Sequence, residues 1–396
     1  MTATPRRLWL VSLVAAVALL VAACADDADD ADDADLDEEP AEVDEPEEND
    51  EEDDEEAEAA ADDELPFEGE TLTVLNWNDY GSDQDYAVEG FEERTGASVE
   101  HVYHSGGEEL RQILRTGGVG EIDVALPNPT YVQQMQEEGT IQPVDTSQIP
   151  NLELVADTFI DVEDIYVDGE LYGVPWVWGS TGLTYNTEHF DEEPTSWGVL
   201  WDSEWEDRVG FMDSPVEAVM LTALYLGDDP HDPDLDAVRD ALIEMRPNVQ
   251  IYWGSSDDWT RAFTTEAISV GNFWAGDAGS MMEEGHPVGY TIPEEGAAAW
   301  LSTWSIVADA PNPDLAHAWI DWMISTDFLL TWAEDPLGNA PAPATTEAQE
   351  QLSEEAKERT QAYPDQVDDL AIMGSLTEEQ QQAYTDLLAE VKAGAQ

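Results

Sequence analysis

A single cysteine, Cys24, leaves no partner for a disulfide and no thiol pair for a metal or redox centre. Cationic residues are almost as scarce. Lys plus Arg number 12 against 92 Asp plus Glu, a formal net charge of −80, and the only lysines are Lys357 and Lys392. That balance excludes nucleic acid as a partner, because phosphate repulsion would oppose every approach. The six histidines, at 101, 104, 189, 231, 286 and 317, form no pair with zinc-ligand spacing on a helix. There is no G-x-S-x-G, no P-loop and no dinucleotide fingerprint. No internal repeat is visible. A chain rich in aromatics but without a reactive constellation is expected to bind rather than to catalyse, and no cofactor or metal is implied.

The amino terminus sets the expected location. Arg6 and Arg7 precede a run from Leu8 to Ala23 that is apolar except for Ser12. This run is too short and wrongly flanked for a membrane span and reads as a signal peptide over residues 1–23. Its end, Leu20-Val21-Ala22-Ala23-Cys24, resembles a bacterial or archaeal lipobox, which implies cleavage before Cys24 and lipid attachment to its thiol. Thr4 to Leu10 matches a twin-arginine signal only loosely, so the export route stays open. From Ala25 to Glu64 there is no Lys, Arg or aromatic residue, and most positions are Asp, Glu or Ala. So much like charge with so little to bury predicts a disordered tether over 24–64, roughly 140 Å long at full stretch. The acid excess continues beyond it. Self-repulsion of that kind is screened within about 3 Å at 1 M salt, so the surface points to a saline habitat more than to a ligand.

From Leu65 the composition becomes that of a globular protein, and the remaining length suits two lobes better than one core. Strand-like runs at Leu72–Trp77, Val99–Tyr103 and Ile122–Pro127 alternate with helical patterns at Asp83–Thr95 and Glu108–Arg115. Further helices are expected at Leu235–Met245 and Leu315–Ser325, and strands at Ala267–Phe273, Gly289–Ile292 and Thr303–Ala308. This alternation predicts an α/β fold with mixed, mainly parallel sheets.

Several segments carry more information in combination than singly. They are Leu75-Asn76-Trp77-Asn78-Asp79-Tyr80, Val174 to Gly182 with Tyr185-Asn186, Met245-Arg246-Pro247-Asn248-Val249, Phe273-Trp274-Ala275-Gly276-Asp277 and Ile292-Pro293-Glu294-Glu295-Gly296. In order and at compatible spacing, from about Glu70 to Lys392, they resemble the spermidine- and putrescine-binding proteins of ABC importers. The resemblance implies a two-lobed periplasmic-binding-protein (Venus flytrap) fold with a hinge between lobes and chain crossovers near Trp178 and Trp300. The lobes would comprise 65–177 and 302–340 on one side and 178–301 on the other, with 341–396 mainly in the second.

The resemblance also implies a cleft in which Asp79, Glu217 and Asp277 hold ammonium groups while Trp77, Tyr80, Trp274 and Trp300 line the slot, with Asn78 beside them. The residue types suit that chemistry. A cation over an aromatic face gains about 0.5–2 kcal/mol, and a charge-assisted hydrogen bond about 1.5–3 kcal/mol. Each position has a plainer reading too. Asn78-Asp79 is a turn-forming pair, Ser214-Pro215-Val216-Glu217 is a helix capping box, and Trp253, Trp259, Trp274, Trp300 and Trp304 suit a core.

The departures from the family pattern concern charge. Ser302 stands where the family has Asp, and a second family Asp falls on Ser214 or Asp213. Thr130, beside Tyr131, and Asn339 stand where cleft tyrosines are common. These differences keep a second ligand class in view, an amino acid such as γ-aminobutyrate, with Ser214 and Ser302 donating to its carboxylate, although no arginine is placed for it. The expected role is a monomeric substrate-binding lipoprotein, lipid-anchored on the outer face of the cell membrane or in the periplasm. It would deliver a small cationic amine to an ABC permease and ATPase complex. An extracellular hydrolase using Asp257 and Asp258, or a receptor-linked sensory module, are the alternatives from other classes.

Overall fold

The computed structural model describes residues 65–336 and 340–394. Cys24, the expected signal peptide, the acidic segment and Asn339 lie outside the described residues. No helix among the described residues is long and apolar enough to cross a membrane.

Fourteen strands are described: β1 (Thr71–Trp77), β2 (Ser98–His104), β3 (Val124–Ala125), β4 (Ile141–Gln142), β5 (Tyr166–Val167), β6 (Glu170–Leu171), β7 (Val174–Asn186), β8 (Val209–Met212), β9 (Val249–Trp253), β10 (Val270–Trp274), β11 (Val288–Thr291), β12 (Ala297–Val307), β13 (Ala342–Pro343) and β14 (Leu370–Ile372). The main sheet runs β2-β1-β3-β12-β7-β10-β8-β9, with β4 and β14 on β12 and β11 and β13 on β7. Its two ends are parallel: β1 pairs in parallel with β2 and β3, and β8 with β9 and β10. Their connections contain helices, as parallel pairing requires; the inner strands are buried, while β2 at the edge is partly exposed. The centre is antiparallel, with β12 running against β7 from Ala298↔Thr181 to Trp304↔Val174 and a bulge between Ser302 and Thr303.

β7 and β12 divide the molecule. Trp176, Val177 and Trp178 of β7 pack in one apolar core with Leu301 and Trp304 of β12. Leu183 and Tyr185 pack in another with Ala297 and Ala298. Each strand therefore changes core midway, so the fold has two lobes joined by two long crossovers. All thirteen residues of β7 are buried, which is why its sequence shows no in–out alternation of apolar and charged residues. Its Gly179-Ser180-Thr181-Gly182 centre exists for ring packing. A Cβ at Gly179 would lie 2.4 Å from the Trp300 ring, and one at Gly182 would lie 2.4 Å from the Tyr290 ring.

Element ends follow local chemistry. The first helix begins at Asp85, two residues later than expected, because the Asp83 carboxylate accepts from the amides of Asp79 and Tyr80 and belongs to the preceding turn. It ends at Gly96, whose φ of 76° a β-carbon would disfavour. The expected helix 108–115 stops at Ile113 and passes into a wide turn, Leu114–Gly118, that contains Gly117 at φ 138°. Ser214 does cap the helix Pro215–Leu226, its Oγ accepting from the Glu217 amide at 3.4 Å.

The carboxy-terminal segment divides between the cores. Ala342 to Ala362 contribute to the first, together with Trp332 and Phe328. β14 then pairs with β12, and Tyr384 to Val391 of the helix Glu378–Ala393 join the second. The chain thus passes between lobes a third time, and only its last part packs wholly in the second lobe.

Candidate functional site

The carboxyl ends of β1 and β10 meet the two crossovers around a cavity of 290 Å³. The first lobe contributes Tyr80 and Thr360, the second Trp274 and Asp277, and the crossovers Trp178 to Ser180 and Trp300. A cleft at the carboxyl ends of parallel strands is where open α/β sheets bind ligands. Trp300 also borders a larger space of 890 Å³ that reaches Ser214, Thr130 and Tyr131. It therefore stands as a partition between the two, held against the bare backbone of Gly179.

Asp277 is in the first turn of the helix Ala275–Glu283 and is half-buried. Burial pushes its carboxyl above the ordinary range, and the hydroxyl of Ser256, which donates to Oδ1 at 2.5 Å, opposes that rise. It is the one carboxylate among the described residues lining the smaller cavity. Across from it, Tyr80 shares a 3.3 Å hydrogen bond with Ser302 and meets the edges of Trp176 and Trp332 at 5.6 and 5.8 Å. Burial raises the Tyr80 phenol well above its ordinary value, so this pair is neutral at any working pH. Ser180 and Tyr290 form a second neutral pair at 2.7 Å.

Glu217 lies behind this wall. Its side chain turns inward from the helix start, the residue is 5% exposed, and Oε2 has no hydrogen-bond partner among the described residues. Burial lifts its pKa to about 7, offset slightly by the Thr181 hydroxyl. Its neighbours Thr181 and Val216 adjoin residues of both cavities, Ser180 in the smaller and Val216 itself in the larger. A buried carboxylate oxygen without a donor is costly, and an ammonium group is the donor that best offsets the cost.

The β1 turn is placed differently from the expectation. Asn78 and Asp79 are exposed and do not line either cavity. Asp79 has φ +59°, its amide donates to Asp83, and its Oδ1 accepts from Gln84 Nε2 at 2.9 Å. Its geometry is that of a turn former whose carboxylate is held by its own loop. Trp77 is half-buried and packs on His104 at 4.6 Å, outside the cavity lining. Asp213 is occupied as well: Lys392 Nζ donates to it at 2.6 Å and lies 5.3 Å from the Tyr252 ring centre. Trp253 is fully buried in a core of the second lobe.

Of the expected residues, Tyr80, Trp274, Asp277 and Trp300 are brought together around one cavity. Ser302 stands behind Tyr80, Ser214 faces the larger space, and Glu217 is enclosed nearby. Sequence reasoning missed Ser256, Tyr290 and Thr360. None carries a motif; they reach the site through pairing of β10 and β11 with β7 and through the return of the carboxy-terminal segment.

Charge at the site has one sign. Among the described residues no Lys, Arg or His lines the smaller cavity. Arg111 lines the larger one but is engaged by Glu108 at 2.8 Å and by Glu138. Asp257 and Asp258 sit in the first turn of the helix Ser256–Thr264, where Asp258 pairs with Arg261, and they form no paired site.

A two-lobed α/β body with an aromatic, anionic cavity between its lobes defines a solute-binding protein. Comparison with known proteins makes the class specific: residues 86–364 match the Bacterial extracellular solute-binding protein family, and the chain belongs to that family. Its members bind solutes for transporters and are not enzymes. The spermidine/putrescine-binding periplasmic protein 1 of Haemophilus influenzae is 28% identical over 300 residues, covering 74% of this chain and 81% of that protein. The putrescine-binding periplasmic protein PotF of Escherichia coli is 27% identical over 322 residues, covering 76% and 85%. Among solved structures, the spermidine/putrescine ABC transporter substrate-binding protein PotD of Streptococcus pneumoniae superposes with a TM-score of 0.74 at 25% identity, covering 83% of this chain and all of that one.

Proposed function

We propose that this protein captures a small organic diamine or polyamine, putrescine or spermidine in class, and delivers it to a membrane permease. The observation that carries the reading is the cavity itself. Trp274, Trp300 and Tyr80 line the space with Asp277, no cation among the described residues lines it, and a second carboxylate, Glu217, is buried close behind with an oxygen that has no partner among them. One ammonium at Asp277 and one at Glu217 supply charge-assisted hydrogen bonds of about 1.5–3 kcal/mol each, and the rings cover the methylenes between. An amino acid ligand is disfavoured because its carboxylate finds only hydroxyls and like charge here. Lobe closure around the ligand follows from the two crossovers acting as a hinge, and the closed form is what a permease would recognise.

Cys24 supports a lipid-anchored form of this receptor, with the acidic segment as its tether. A Cys24→Ser chain that still partitions with membranes would refute the anchor. For the ligand, isothermal titration in molar salt with putrescine, spermidine and γ-aminobutyrate is the test. Binding of the amines and not of γ-aminobutyrate is the expected result. No heat from any amine at millimolar concentration overturns the proposal.

A further inference from the structure

The helix that presents Asp277 to the cavity is also gripped from the opposite lobe. Ala275, Ala278 and Met281 of this helix, Ala275–Glu283, pack in a second-lobe core with Trp253 and Phe273. The helix Glu354–Thr360 packs in the first-lobe core through Ala356. The two helices touch at Gly279, where an added Cβ would come within 2.1 Å of the Arg359 carbonyl oxygen. That approach is possible only without a side chain.

At this contact the Arg359 side chain is 6% exposed and spans the two lobes. One guanidinium nitrogen donates to the Ala333 carbonyl, on a helix of the first core, and another to Glu283 Oε1 of the second-lobe helix at 3.0 Å. Thr360, the next residue, lines the ligand cavity together with Asp277. One helix therefore joins the site to the contact: Asp277 at its start faces the cavity, and Glu283 at its end is held across the lobes by Arg359. In a chain with 12 basic residues, one of the few arginines is buried in this interlobe contact.

We infer that Arg359, Glu283 and Gly279 form a closure latch that sets ligand affinity by stabilising the closed arrangement of the lobes, without touching the ligand. The inference rests on the proposed capture function for its effect on affinity, but its effect on lobe separation is independent of ligand identity. A protein whose closed form is favoured before binding loses less affinity to closing, and a weakened latch lowers apparent affinity by the fraction of closed protein lost.

The test compares the full chain with its Glu283→Gln and Gly279→Ala variants in molar salt. Small-angle scattering without ligand reads lobe separation, calorimetry with putrescine and spermidine reads affinity, and urea unfolding without ligand reads folding. Glu283 is half-exposed, so its variant is expected to fold; Gly279→Ala separates the helices by bulk without changing charge. Both variants are expected to expand the ligand-free protein and to raise the amine Kd roughly 5- to 150-fold. They should leave the difference in affinity between putrescine and spermidine unchanged. Unaltered scattering and unaltered Kd in Glu283→Gln overturn the latch while leaving the capture reading intact. Expansion of both variants in a protein that binds neither amine supports the latch and removes the amine reading. Unchanged scattering in such a protein removes both.

Discussion

Glu217 offers the sharpest test of the site, because its protonation couples stability, pH and ligand. Burial lifts its pKa from an ordinary 4.5 to about 7. Between those values the folded protein keeps a proton that the unfolded chain has released. The stability this provides is complete below about pH 4.5 and is lost as pH rises through about 7. At about 1.4 kcal/mol for each tenfold change, the loss amounts to about 3 kcal/mol by pH 8. Glutamine at this position stays neutral, so the stability of Glu217→Gln relative to the parent should climb by about 3 kcal/mol between pH 4.5 and 8. Asp123, Asp277 and Asp321 are also raised by burial, but they contribute equally to both proteins and cancel in the difference. Urea unfolding in molar salt at four or five pH values measures the curve. Parallel parent and variant curves from pH 4.5 to 8 would refute the reasoning. A ligand ammonium at Glu217 reverses the effect by favouring the ionised carboxylate. Amine affinity should therefore rise with pH from 5 to 7, with proton release visible as a dependence of binding heat on the buffer.

Other outcomes follow from the same geometry. Asp277→Asn removes the carboxylate of the smaller cavity and should cost about 2–5 kcal/mol of amine binding by calorimetry, with little change in unfolding midpoint. Gly179→Ala puts a Cβ 2.4 Å from the Trp300 ring and should both destabilise the fold by about 1–3 kcal/mol in urea unfolding and weaken amine binding, since the ring must leave its place. Ser302→Asp restores the acid that the family pattern has at this position beside Tyr80; it should tighten spermidine relative to putrescine in competition titrations, and a uniform loss for both would count against that assignment. The melting temperature should rise steadily from low to molar NaCl, because a formal charge of −80 repels itself until screened.

Much of the fold was legible because its signals are local. The run Leu72–Trp77, the stop at Gly96 and the cap at Ser214-Pro215 each follow from a few neighbouring residues, and each is present close to where it was expected. The site was legible in part. Trp274 and Asp277 follow a buried strand directly, and strand–helix junctions point into clefts. Asp79 belongs to the same kind of junction but turns away, because Asp83 draws the backbone of the turn outward and Gln84 holds its carboxylate. Nothing in a linear reading weighs those short contacts against a distant ligand. Glu217 shows the opposite case: a capping position, ordinarily solvated, is buried beside Thr181 of β7.

From its sequence alone this protein reads as an acidic α/β protein whose ordered motifs resemble those of solute-binding receptors. Composition decides the first, alternating apolar periods the second, and short motifs in order from about Glu70 to Lys392 the third; all are properties of neighbouring residues or of the whole chain. Tertiary structure decided which acids face the ligand, which are held by turns or by Lys392, and how Arg359 reaches across to Glu283. The reach of Lys392 to Asp213 and of Arg359 to Glu283 depends on residues more than fifty positions apart meeting through crossovers and a returning carboxy-terminal segment. Such encounters depend on strand register and burial and have no local signal to carry them.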